Sequence, residues 1–110
     1  HRLGATIEGE EYRNADPELF DDIVAGAVAR GDEIDALIIA NLASGWALDR
    51  LDRPMRGILR AGVYELLARP DVPTPTVINE YLDVAHAFYD TKETAFANAL
   101  LDAVARLTRG

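Results

Sequence analysis

The chain has 110 residues, with nineteen acidic side chains against eleven basic ones and a net charge of −8 at pH 7. Hydrophobic residues at 49% and charged residues at 27% describe one globular core and exclude a disordered tail. The absence of cysteine excludes a disulfide framework and any thiolate ligand or nucleophile. No apolar run approaches the roughly 18 residues of a membrane span and no signal pattern opens the chain, so a soluble cytoplasmic domain is expected.

The acidity belongs to the leading third. Residues 1–35 hold ten acids against Arg2, Arg13 and Arg30, and the remainder is close to neutral. The chain opens on His1 rather than Met, and residues 1–15 carry no strong period. They read as an irregular connecting segment, with upstream residues expected to be missing, ahead of a helical domain over 16–110. From residue 16 onward apolar spacing near 3.6 dominates, and eighteen alanines with few β-branched residues favour helix. Asp16 and Pro17 look like a cap and first-turn proline, followed by a stripe of Leu19, Phe20, Ile23, Val24, Ala27 and Val28 that Gly31 stops. Asp32 is expected to cap a second helix, with Ile34, Leu37, Ile38 and Leu42 buried and an end at Ser44-Gly45. Trp46 to Leu51 reads as one turn with an anchoring Trp.

A third helix is predicted over Asp52 to Arg69, with Pro54 in its first turn and Met55, Ile58, Leu59, Gly62, Val63, Leu66 and Leu67 on its inner face. Pro70, Pro73 and Pro75 force a loop. Thr74 and Pro75 open a fourth helix carrying Val77, Ile78, Leu82, Ala85 and Phe88. Thr91 is expected to cap a fifth, with Ala95, Phe96, Ala99, Leu100, Ala103, Val104 and Leu107 on one face. The fold class is all-α, a compact bundle of about five helices.

Catalytic inventories are thin. The lone serine, Ser44, sits in a helix-stopping Ser-Gly, and His86 has no second histidine at ligand spacing. The only lysine, Lys92, lies in no phosphate-binding loop. Adjacent acids such as Asp21 and Asp22 diverge on a helix and share no proton. No catalytic site, metal or cofactor is expected. Arg53, Arg56 and Arg60 are spaced i, i+3 and i+7, within about 60° on one side of the third helix. They suit a phosphate, but by spacing alone the better reading is an outer face paired with Asp49, Asp52 or Glu65. Asn79 and Glu80, with Glu65, are polar residues in apolar company. If buried they need partners, and Arg56 or Arg60 could serve Glu65 or Glu80.

The string from Leu51 to Leu66, LDRPMRGILRAGVYEL, resembles the signature helix of the NusB family of bacterial transcription antitermination factors. The loop Pro70 to Pro73, then Val77-Ile78-Asn79-Glu80 with Ala85 and Phe88, continues the likeness. Phe96 to Asp102, FANALLD, resembles the closing motif, with alanines where Val and Gly are usual. Weaker similarity reaches back to Phe20–Gly26, so the resemblance covers roughly residues 17 to 107. It implies a NusB-like fold and non-catalytic binding of the boxA element of ribosomal RNA leader transcripts. It also implies partnership with NusE, a small ribosomal protein, and assembly with RNA polymerase and other Nus factors. The family's arginine-rich first helix has no counterpart here, and residues 1–15 resemble the segment that follows it. A bundle without that helix is expected to expose an apolar groove, filled by an N-terminal fragment or a partner chain, or used in a homodimer. Phe96 and the loop Thr91 to Thr94, including Lys92, match the part of the family near RNA. The Arg53, Arg56 and Arg60 face becomes a candidate contact for RNA or partner, while Phe96 also fits the core stripe. The alternatives are a NusB-like accessory domain of an RNA cytosine methyltransferase and a helical protein-interaction adaptor.

Overall fold

The computed structural model describes residues 17–43 and 45–110, excepting the side chains of 17–21 and 24. The connecting segment 1–15, the Asp16 cap, Ser44 and the side chains of Leu19, Phe20 and Val24 therefore lie outside the described residues. Five helices follow in chain order: α1 Pro17–Ala29, α2 Gly31–Asn41, α3 Arg53–Ala68, α4 Thr74–His86 and α5 Thr91–Arg109, with a 3₁₀ turn Leu48–Arg50 between α2 and α3. There is no strand among the described residues, and no helix there is long and apolar enough to cross a membrane.

Helix α3 is central and packs against all four others. Its entry follows from the sequence: Asp52 Oδ1 accepts from the Met55 backbone N–H at 3.3 Å, and Pro54 occupies the first turn, where a missing N–H costs nothing. Met55, Ile58, Leu59, Gly62, Val63 and Leu66 are buried as their spacing predicts. Ile34 and Ile38 of α2, Val77 and Ala85 of α4, and Leu101 and Val104 of α5 close the core around them.

Several expectations need correction. The break between α1 and α2 falls at Arg30, and α2 starts at Gly31 with no side-chain cap, so Asp32 lies inside the first turn and favours the helix dipole from there. Val28, expected inside, is exposed. Helix α2 ends at Asn41, whose side-chain amide donates to the Leu37 carbonyl at 2.8 Å, and the chain turns at Gly45 with φ of 90°, which favours glycine. In α5 the cap position belongs to Asp90, not Thr91, and the buried face runs through Thr94, Ala97, Leu100, Leu101, Val104 and Ala105. Ala95, Ala99 and Leu107 face outward. Alanines surround this helix, so its sequence marks two adjacent faces as apolar, and the large residues 100, 101 and 104 select one. Phe88 lies beyond the end of α4 and is 60% exposed rather than part of the core.

The C-terminus is tied to the α3–α4 loop by one guanidinium. Arg109 Nε donates to the Leu66 carbonyl at 2.9 Å, Nη2 to that of Arg69 at 2.7 Å, and Nη1 to that of Val72 at 2.6 Å and to Thr74 Oγ1 at 3.2 Å. It satisfies a carbonyl in the last turn of α3 and the irregular backbone that follows.

A second tie joins α1 to α3. Asp22 accepts from the Tyr64 hydroxyl at 3.3 Å and from Arg69 Nη2 at 2.7 Å. Tyr64 reaches across Gly26, where a Cβ would stand 2.2 Å from the ring. Alanine normally improves a helix interior by about 1 kcal/mol over glycine. Here the ring would have to leave, so Gly26→Ala is expected to destabilise by about 1–3 kcal/mol. Gly31→Ala, with open space at its Cβ position, is the control and is expected to be neutral or stabilising. Urea unfolding midpoints of the two variants check the opposite signs.

Candidate nucleic-acid interface

Two helix N-termini and two loops meet at one end of the bundle. Asp52, the cap of α3, also accepts a short hydrogen bond from the Tyr89 hydroxyl, which draws the α4–α5 loop onto the start of α3. The loop is otherwise shaped by its own backbone, with the Phe88 and Tyr89 N–H groups both donating to the Ala85 carbonyl. Phe88 thereby projects its ring beside Tyr89, at 6.2 Å between centroids and 43° between planes.

Burial, with the Asp52 hydrogen bond and charge behind it, pushes the Tyr89 hydroxyl up to about 12. Its neutral form is thus favoured by folding. The contribution is fully present below the unfolded value near 10 and is lost as pH rises from there through 12. Wild type is expected to be more stable than Tyr89→Phe at pH 8, with the difference shrinking between pH 10 and 12. Urea unfolding of both proteins across that range checks this.

Helix α5 begins immediately after this loop. Thr94 lies inward and its hydroxyl donates within the first turn, to the carbonyls of Asp90 at 3.2 Å and Thr91 at 3.0 Å. Lys92 is exposed, and Phe96, four residues on and so on the same side, is partly buried at the core's edge. The indole of Trp46 lies against Phe96, with centroids 6.0 Å apart and planes tilted by 33°, yet Trp46 remains 57% exposed. The expected anchoring Trp is thus a half-open ring.

The three arginines of α3 part company. Arg53, beside the Asp52–Tyr89 bond, is exposed and makes no ion pair among the described residues. Arg56 donates only a long bond, Nη1 to the Asp49 carbonyl at 3.4 Å. Arg60 is held bidentately by Asp35 of α2, Nε to Oδ1 at 2.8 Å and Nη2 to Oδ2 at 3.1 Å. The expected pairing of Arg56 or Arg60 with Glu65 or Glu80 does not occur. Five residues along a helix turn through about 140°, so Arg60 and Glu65 face different sides. Glu65 is fully buried and accepts from the Tyr81 hydroxyl at 3.0 Å, and Glu80 is buried on α4. Asn79 is exposed, because Ile78 and Tyr81 take the inner face of α4.

The structure therefore gathers Phe96, Lys92, Arg53 and Arg56 around one end, together with Phe88 and Trp46. Glu65 and Glu80 belong to the core. A match to the NusB family covers residues 2–106. The chain belongs to the NusB family. Its relatives include the transcription antitermination protein NusB of Sphingopyxis alaskensis, 61% identical over 99% of this chain and 73% of the relative. That of Novosphingobium aromaticivorans is 62% identical over 99% and 74%. Among solved structures, NusB of T. maritima superposes with a TM-score of 0.75 at 30% identity, covering 86% of this chain and 68% of that one. The all-helical NusB fold expected from the sequence is thereby established. Two exposed rings of this NusB end, Trp46 and Phe88, escape a reading of the sequence as site residues. Both follow helix ends, Trp46 after the turn at Gly45 and Phe88 after the last turn of α4, and neither position has a periodicity that reveals its exposure.

Proposed function

We propose that the chain is a transcription antitermination factor that binds single-stranded boxA RNA together with NusE, through the end of the bundle that carries Phe88, Phe96, Lys92, Arg53 and Arg56. The observation that supports this reading most is the grouping of the exposed Phe88 and Trp46 rings with cations that have no ion pair among the described residues, in a chain whose net charge is −8. Single-stranded RNA is read by stacking of splayed bases on aromatic side chains and by cations along the phosphates. An acidic protein that keeps cations at one aromatic end repels nucleic acid elsewhere and orients it there. The names of its relatives favour antitermination over the methyltransferase-domain and adaptor alternatives.

In this role the protein performs no bond chemistry. Lys92 and Arg53 hold phosphates, Phe88 offers a face to a base, Phe96 borders the RNA beside Trp46, and Asp52 with Tyr89 keeps the two loops in register. NusE, RNA polymerase and the other Nus factors assemble on the bound RNA. Fluorescence anisotropy of labelled boxA RNA, with and without NusE, tests the reading. Saturable binding that NusE tightens supports it, and no binding with NusE present overturns it.

A further inference from the structure

A shallow depression of about 420 Å³ opens beside the aromatic end. Ile39 and Leu48 make its apolar lining, the Trp46 indole is a wall, and Asp49, Arg56 and Arg60 stand at its rim. We propose that this depression is a binding site for one unstacked RNA base, which stacks on Trp46 while the adjoining phosphate meets Arg56. The inference deepens the RNA reading above and rests on it.

Three features carry it. Trp46 is half exposed although Phe96 supports it from behind, so its indole has surface to offer and a fixed backing. Stacking on a supported ring loses little conformational freedom, and every base has a face for it. Among the described residues Arg56 holds only the long bond to Asp49, whereas two of Arg60's nitrogens are committed to Asp35. Arg56 is thus the guanidinium at this rim with donors to give, and a planar fork suits a phosphate. The Asp49 carboxylate sets the limit, because a second phosphate at the same rim would face it. The depression therefore suits one nucleotide rather than a continuous strand, with Phe88, Lys92 and Arg53 meeting neighbouring ones.

Trp46 is the only tryptophan, so its fluorescence reports on this site alone. The protein would be titrated with single-stranded boxA RNA while its tryptophan emission is followed, and anisotropy of the labelled RNA would report total binding in parallel. The expected result is saturable quenching by roughly half or more with the same midpoint as the anisotropy. Trp46→Ala is expected to weaken RNA binding about tenfold at a temperature where its melting curve shows it fully folded. Trp46→Phe is expected to restore most of the affinity, since it keeps a ring for the base. RNA binding without quenching, and with Trp46→Ala at wild-type affinity, overturns the base site and leaves the RNA reading standing. Emission that ignores RNA but responds to the ribosomal partner protein overturns it in favour of a protein-docking surface. No RNA binding by either readout, with the partner present, overturns both.

Discussion

The double variant Arg53→Gln, Lys92→Gln is expected to bind boxA RNA roughly 25-fold more weakly at about 0.1 M salt, with a slope of log affinity against log salt shallower by about 1.4. The arithmetic is that of counterion release, in which each phosphate contact on a single strand contributes about 0.7 to the slope. Both side chains are exposed and without ion pairs among the described residues, so their neutralisation leaves the fold intact. Arg60→Gln supplies the contrast. It removes a partly buried bidentate link between α2 and α3, so it is expected to lower stability by about 1 kcal/mol. Its salt slope should stay near wild type, because Asp35 already balances that guanidinium. Anisotropy titrations of the three proteins between 50 and about 300 mM salt decide the matter. Equal slopes in all of them would remove Arg53 and Lys92 from the interface.

Arg109→Met is expected to produce the largest loss of stability, about 3 kcal/mol, with a fall in Tm on the order of 10 °C or more. The apolar stem survives in methionine, so the effect isolates the guanidinium. Without it the carbonyls of Leu66, Arg69 and Val72 lose a charged donor in a partly buried pocket. The end of α3 would then keep its own backbone bonds and the Asp22–Arg69 tie, and the loop Pro70–Pro73 would lose its link to the C-terminus. Arg109→Lys is expected to recover less than half of the loss, since one ammonium cannot span the groups that a planar fork reaches. Thermal unfolding by circular dichroism gives both values. A Tm within about 2 °C of wild type for Arg109→Met would mean that the clamp is incidental to stability.

The contrast between Arg109 and the α3 stripe shows how far a sequence carries. The 3.6-residue spacing of Met55, Ile58, Leu59, Gly62, Val63 and Leu66 announces both a helix and its buried face, because large apolar residues on one side leave a single orientation that removes them from water. The Asp52 cap and the proline-rich loop are local in the same sense, settled by the backbone chemistry of a few neighbours. The bond from Arg109 to Val72 joins residues 37 apart, and no spacing rule anticipates it. In α5, alanine removes the distinction between faces: a stripe read through Ala95 and Ala99 and one read through Ala97 and Ala105 look alike until α3 and α4 select the second.

The same division governs the candidate site. The sequence by itself determined the helical class and the spacing of the α3 arginines, since these depend on residue types at fixed local intervals, and through the NusB resemblance it made Phe96 and Lys92 candidates. Only the tertiary structure decided which arginine is engaged. Arg53, Arg56 and Arg60 share one face by spacing, but Asp35, twenty-five residues before Arg60, holds one and leaves the others. It also decided that Phe88 and Trp46 belong outside. A ring is buried or exposed according to which neighbouring helices are close enough to cover it, and that depends on contacts between segments far apart in the chain.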